Sequence, residues 1–223
     1  MEYAPAAAKI LLCAAHDGDL EQLKKFAAVL DHLIGDGIPA TVKYLIEDMK
    51  VEIDVKDGAG QTPLSHAFAE GRLAAVEYLL EMGANPEILD DSNTSPLHYV
   101  TMSGHKHFIP LLLSKGINVD VINNFGSPLQ YAATAGDHDA VKVLMDHGAN
   151  PNLVFHDTFS PLLASIGSLS WRCMEQLLKA GADPNGGPEG IKALPLAAQV
   201  GEAQIIKLLV EAGADPKLQI YTD

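Results

Sequence analysis

One turn position recurs through most of this chain at a fixed interval, and that period constrains the fold more than any other feature. Gly71, Gly104, Gly136, Leu169 and Gly201 are spaced 33, 32, 33 and 32 residues apart. Before each stands Pro63, Pro96, Pro128, Pro161 or Ala193, and after each comes a second glycine: Gly83, Gly116, Gly148, Gly181 or Gly213. Thr62, Ser95, Ser127 and Ser160 precede the prolines. A hydroxyl at N-cap with proline at N1 starts a helix, because proline's missing N–H falls where an N–H would be unpaired anyway. After the turn, Arg72 to Glu81 places apolar residues at helical spacing, with Glu77 and Glu81 on the other side. Met82 closes that helix, Gly83 supplies a C′ residue able to take positive φ, and Pro86 follows where the helix has already stopped. Each copy is therefore a helix–turn–helix with a polar connection. Leu64, Ala67 and Ala69 give the first helix a thin face, and Ala132-Ala133 and Ala197-Ala198 recur there so that neighbours stack closely. One pair cannot bury its own core, so stability must come from its neighbours. The segment Asp54 to Gly60 and its equivalents are expected as projecting hairpin loops.

A period near 33 headed by Thr62-Pro63-Leu64-Ser65-His66-Ala67 and Ser95-Pro96-Leu97-His98 resembles the ankyrin repeat. The resemblance implies an all-α solenoid of stacked helix–turn–helix units. Residues 55–216 hold five regular copies and 217–223 a C-terminal tail. Residues 1–54 hold degenerate repeats. There Gly37 lies only 19 residues after Gly18, as though half a unit were missing. Natural irregularity, an alternative transcript and a spliced gene model all account for that equally. Leu169 at a glycine slot implies a turn of different shape, with Trp171 just after it. The lack of a polar cap after Pro216 points to a piece of a longer protein. The stretches LLCAAHDGDLEQLKKFAAVLD and YLIEDMKVEIDVKDGAGQTPLSHAFAEGRLAAVEYLLEMGANP are similar to the N-terminal array of plant ankyrin proteins that carry a tetratricopeptide domain afterwards. That likeness implies a partner-recognition role in the cytosol or nucleus, linked to chaperones. The chaperone-clamp residues of such proteins have no counterpart here.

Composition narrows the function. A net charge of −14 disfavours phosphate backbones and anionic membranes, so neither nucleic acid nor membrane is an expected partner. No apolar run reaches the ~18 residues a transmembrane helix needs. Met1 to Ala8 lacks a secretory signal's basic and apolar regions. Cys13 and Cys173, far apart and both in helical stretches, read as small buried hydrophobes in a reducing compartment.

No catalytic or cofactor constellation emerges, so the expectation is a non-enzymatic chain without cofactor or metal. Ser127, Ser160 and Thr62 are caps with no nucleophile elbow around them. His105 and His107 stand two apart, and on a helix such a pair points to different sides. They are expected at a solvated helix start. His98 is expected to brace the adjoining loop, and His66 to lie exposed. Gly186-Gly187-Pro188-Glu189-Gly190 lacks the lysine of a phosphate loop, and Asp90-Asp91-Ser92-Asn93 lacks the glycine and closing Glu of a calcium loop.

What remains is a protein partner on the concave side, bound by a chain expected to be a monomer. The hairpin tips offer Asp91, Ser92, Thr94, Asn123, Asn124, Phe125, His156, Asp157 and Phe159, and the first helices Glu70, Tyr99, Met102 and Tyr131. Aromatics at exposed tips are typical interface anchors, which singles out Phe125, Phe155 and Phe159. Folding back onto the neighbouring hairpin is the other course open to them. Tyr99 and Tyr131 share one slot, where an aromatic ladder and packing between first helices are both open.

Overall fold

The computed structural model describes residues 52–156, 159–187 and 192–217. The expectations for residues 1–51, for Asp157 and for Pro188-Glu189-Gly190 fall outside the described residues. Those residues form helices α1 (Pro63–Ala69), α2 (Leu73–Glu81), α3 (Pro96–Met102), α4 (Ile109–Ser114), α5 (Pro128–Ala135), α6 (His138–Asp146), α7 (Pro161–Gly167), α8 (Trp171–Lys179), α9 (Ala193–Val200) and α10 (Ala203–Glu211). A 3-10 turn, Lys106–Phe108, precedes α4. Among the described residues β structure is limited to isolated bridges at two loop tips.

The chain divides into two compact units, residues 1–108 and 109–223. In the first, α1 packs on α2 and α3. Its core holds Leu64, Ala67, Phe68, Val76, Leu79, Leu97 and Val100, with the Phe68 ring edge-on to Phe108 at 5.3 Å. The buried stripe of α1 is Leu64, Ala67 and Phe68, the 3–4 spacing of one helix face. Ala69, expected on that face, lies one residue further round and is only half-buried.

In the second unit α5, α7 and α9 stack as one row of first helices, and α6, α8 and α10 as a row of second helices. Leu129, Ala132, Ala133, Leu144, Leu162, Ile166, Met174 and Leu177 fill the space between. Each buried leucine-sized side chain contributes about 1.5–3 kcal/mol. Ala197 is buried as expected, but Ala198 is exposed. Cys173 is fully buried, and burial pushes its thiol pKa up.

The caps form as the residue types dictate. The hydroxyls of Thr62, Ser95, Ser127 and Ser160 accept the N–H groups of Ser65, His98, Gln130 and Leu163. Lys192, in the same slot before α9, makes no such bond; its Nζ donates to the Gly187 carbonyl at 2.9 Å. The turns between paired helices are left-handed, with φ of 68° at Gly71, 74° at Gly104, 68° at Gly136 and 83° at Gly201. Leu169 adopts φ 57°. A different turn shape was expected there. Instead the leucine takes the glycine conformation, because the helices on either side pack as in the other repeats, and it bears the steric cost itself.

Within each unit, successive repeats are also tied by side chains that accept the next repeat's backbone. Asp54 accepts from Asn85 N at 3.0 Å in the first unit. In the second, Asp120 accepts from Asn150 N, Asn152 from Asp183 N and Asn185 from Asp215 N, at 2.9, 2.7 and 2.8 Å.

Candidate functional site

The hairpin tips are built around one residue each. In the first unit, Asp57 Oδ1 accepts the N–H groups of Ala59 and Gln61, and Asp90 Oδ1 those of Ser92 and Thr94. In the second, Asn123 Oδ1 accepts the N–H groups of Phe125 and Gly126, and Asn123 and Gly126 form a bridge. These side chains stand in for strand partners and fix the tight loops. Each is held in turn by its own first helix. His66 Nε2 lies 2.9 Å from Asp57 Oδ2, Tyr99 Oη donates to Asp90 Oδ2 at 2.6 Å, and Asn123 Nδ2 donates to Tyr131 Oη at 3.1 Å.

This arrangement corrects several expectations. His66 is not exposed: its side chain is 15% accessible because it braces the loop before it. Thr94 and Asn123 are buried rather than displayed at the tips: the Thr94 main chain closes the loop onto Asp90, and Asn123 Oδ1 accepts two loop N–H groups. Asp90 is likewise committed, its Oδ1 to the loop and its Oδ2 to Tyr99. His98 is fully buried, and its Nδ1 serves its own helix start: Ser95 N donates to it at 3.2 Å, and the Ser95 hydroxyl lies 2.9 Å away. His105 is half-buried over Gly71, where an added Cβ would meet its ring at 2.6 Å, and His107 is exposed in the 3-10 turn.

The remaining predicted residues divide by exposure. In the first unit Asp91 and Met102 are exposed, and Glu70, Ser92 and Tyr99 are half-buried. Burial, followed by its bond to Asp90 and the Asp90 charge, raises the Tyr99 phenol pKa well above the usual tyrosine value. In the second unit Phe125 is 69% exposed, Phe159 36%, and Asn124 and His156 are exposed, while Tyr131 is half-buried. Phe155 is half-buried with its ring 4.0 Å from that of His156, whose φ is 49°. Phe155 and Phe159 exchange backbone hydrogen bonds at 2.9 and 3.0 Å, so this tip is a closed hairpin.

Two contributors were missed. Ile122, 42% exposed, adds an apolar side chain beside Phe125 in sequence. Gln130 is buried and joins two successive tips. Its Oε1 accepts Ser127 N at 2.7 Å, and its Nε2 donates to the carbonyls of Leu153 and Phe159. The signal was legible, because Ser127-Pro128-Leu129-Gln130 is a Ser-x-x-Gln capping box. The second unit thus holds Phe125 and Phe159 on two braced hairpins.

A model of tandem ankyrin repeats matches residues 2–90 and 83–155. The chain belongs to the ankyrin-repeat family. It is 30% identical over 91% of its length to the ankyrin repeat protein nuc-2 of Neurospora crassa, of which it spans 20%. The ankyrin repeat domain from Acinetobacter baumannii superposes with a TM-score of 0.71 at 30% identity, covering 85% of this chain and 97% of that one. The human ASB11 ankyrin repeat domain shares the fold, with a TM-score of 0.73 at 24% identity and 82% of each chain covered. This chain spans no more than about a third of the length of the first curated relatives it matches. Ankyrin repeats are general protein–protein interaction modules. No described helix of this array is long and apolar enough to cross a membrane.

Proposed function

We propose that this ankyrin array is a non-catalytic adaptor that recognises a protein or peptide on its concave face, the side formed by hairpin tips and exposed first helices. The observation that carries the reading is Phe125. It stands 69% exposed at the apex of a loop whose Phe125 and Gly126 N–H groups are held by Asn123, a costly placement for an aromatic ring in water. Phe159 on the next hairpin, together with Asn124 and His156, extends the surface. Asp91, Met102, Glu70 and the Tyr99 ring are the corresponding candidates in the first unit. The chain acts as a monomer in the cytosol or nucleus, and the likeness to plant arrays with a tetratricopeptide domain extends the reading to a chaperone-linked scaffold. A second reading makes the array the regulatory or targeting part of a larger protein. It is favoured by the small share of its relatives that the chain spans.

The test is affinity capture from a native extract, read by mass spectrometry, with the wild type and a Phe125→Ala/Phe159→Ala variant. Thermal melts check that both are folded. A partner enriched on the wild type and lost from the folded variant supports the tip surface. Unchanged capture overturns it.

A further inference from the structure

At the other end of the first helices, the second unit carries an open groove of about 370 Å³ between two successive helix–helix turns. Ala135 and His138 line one side, and Leu169, Ser170, Trp171 and Arg172 the other. Leu169 is 51% exposed and Trp171 41%. The Leu169 backbone sits where four other turns use glycine, so this leucine costs conformational energy as well as exposing apolar surface. The walls are fixed across the repeats: the Ser168 hydroxyl donates to the Ala133 carbonyl at 2.7 Å, and the Ser170 hydroxyl to the Gly136 carbonyl at 3.4 Å.

The charge of the groove runs against that of the chain. Acidic residues outnumber Lys and Arg 29 to 15 in the whole sequence, yet no acidic side chain lines this groove, and His138 and Arg172 do. The Arg172 guanidinium lies over the Trp171 ring, 5.3 Å from its centroid. Of the nearby carboxylates, Asp137 accepts the N–H groups of Asp139 and Ala140, and Glu175 pairs with Lys179 at 2.9 Å. Asp139 lies 3.5 Å from the groove's own His138, so the cation that characterises the groove is Arg172. An arginine braced on an aromatic face, beside an exposed leucine and tryptophan, matches a carboxylate next to an apolar side chain.

We propose that this groove is a second recognition site, separate from the hairpin tips, which binds a peptide segment of a protein partner carrying alternating apolar and acidic side chains. An apolar side chain lies against Leu169 and Trp171, and a neighbouring carboxylate accepts from the Arg172 guanidinium.

Trp171 is the sole tryptophan of the chain, so its emission reports directly on this site. The probe is a capped octapeptide alternating Leu and Glu, titrated into the full chain. Peptides with Gln or Lys in place of Glu serve as controls. The expected result is a saturable change in emission with the Glu peptide, at least about tenfold weaker with Gln and absent with Lys. Arg172→Gln weakens the Glu peptide by a similar factor. Leu169→Gly raises the melting temperature while weakening binding, which separates recognition from folding. Phe125→Ala/Phe159→Ala leaves the titration unchanged, so failure at one surface is not confused with failure at the other. The proposal is overturned by no saturable change up to about millimolar Glu peptide. Equal binding of the Lys peptide overturns it too, as does undiminished affinity in Arg172→Gln.

Discussion

The hairpin tip at Asp90 in the first unit and that at Asn123 in the second occupy the same place in the repeat, and they solve one problem with different chemistry. Both side chains accept two loop N–H groups, and both are joined to a tyrosine on the following helix. Asp90 is half-buried and charged, and the apex beyond it shows Asp91 and Asn93. Asn123 is 4% exposed and neutral, and its apex shows Asn124 and Phe125. The brace is therefore common to both tips, while the apex is free to vary. Residues that look alike in a sequence alignment of the repeats divide into a structural class and a recognition class.

The largest expected effect follows from removing the neutral brace. Asn123→Ala leaves two loop N–H groups without an acceptor in a buried position and should cost about 2–3 kcal/mol in urea denaturation. Asp90→Ala, in its wetter setting, should cost about 1–2 kcal/mol, because water replaces part of what is lost. Equal losses at the two sites would erase the distinction drawn between them.

A sharper version uses acid. Burial pushes the Asp57 carboxyl up, but the N–H groups of Ala59 and Gln61 and the bond to His66 outweigh it and hold the carboxyl below its usual value. Its contribution is thus present above the unfolded value of about 3.9 and is lost as pH falls through the lower folded value. Burial raises Asp54 despite its bond from Asn85, so its contribution runs the other way, fading as pH rises through its elevated value. Denaturation followed from neutral to acid pH should therefore lose stability less steeply in Asp57→Asn and more steeply in Asp54→Asn. The same sign in both variants would contradict the assignment.

The smallest stability effect is expected at the apex. Phe125→Ser should change the unfolding free energy by no more than about 0.5 kcal/mol, as for other exposed positions. A large loss would mean that the ring supports the fold, and would remove it from the recognition class.

Much of the fold was legible because the repeat states it several times. The Thr/Ser-Pro caps, the glycine turns and the helical spacing each appeared in register, and each formed. The tips were read less well. Thr94 and Asn123 are polar residues in turn-rich stretches, so they looked like surface. Their burial depends on which backbone N–H groups lack a partner, and that is settled only once the loop has closed. His66 was misplaced for the same reason, its partner Asp57 lying nine residues earlier in the loop. Leu169 shows the converse: the departure from glycine was visible, but its outcome depended on how firmly the flanking helices hold the turn.

The side-chain rungs that link one repeat to the next have a consequence for how such an array changes in length. In the second unit each rung runs from an acceptor in one repeat to a backbone N–H about 30 residues on. Excising one whole period from this unit brings an equivalent acceptor to the waiting N–H, and duplicating one adds a rung with both ends supplied. A cut of half a period leaves a donor with nothing to meet. The bonding pattern therefore acts as a ruler, tolerant of gain and loss in whole repeats and resistant to anything between.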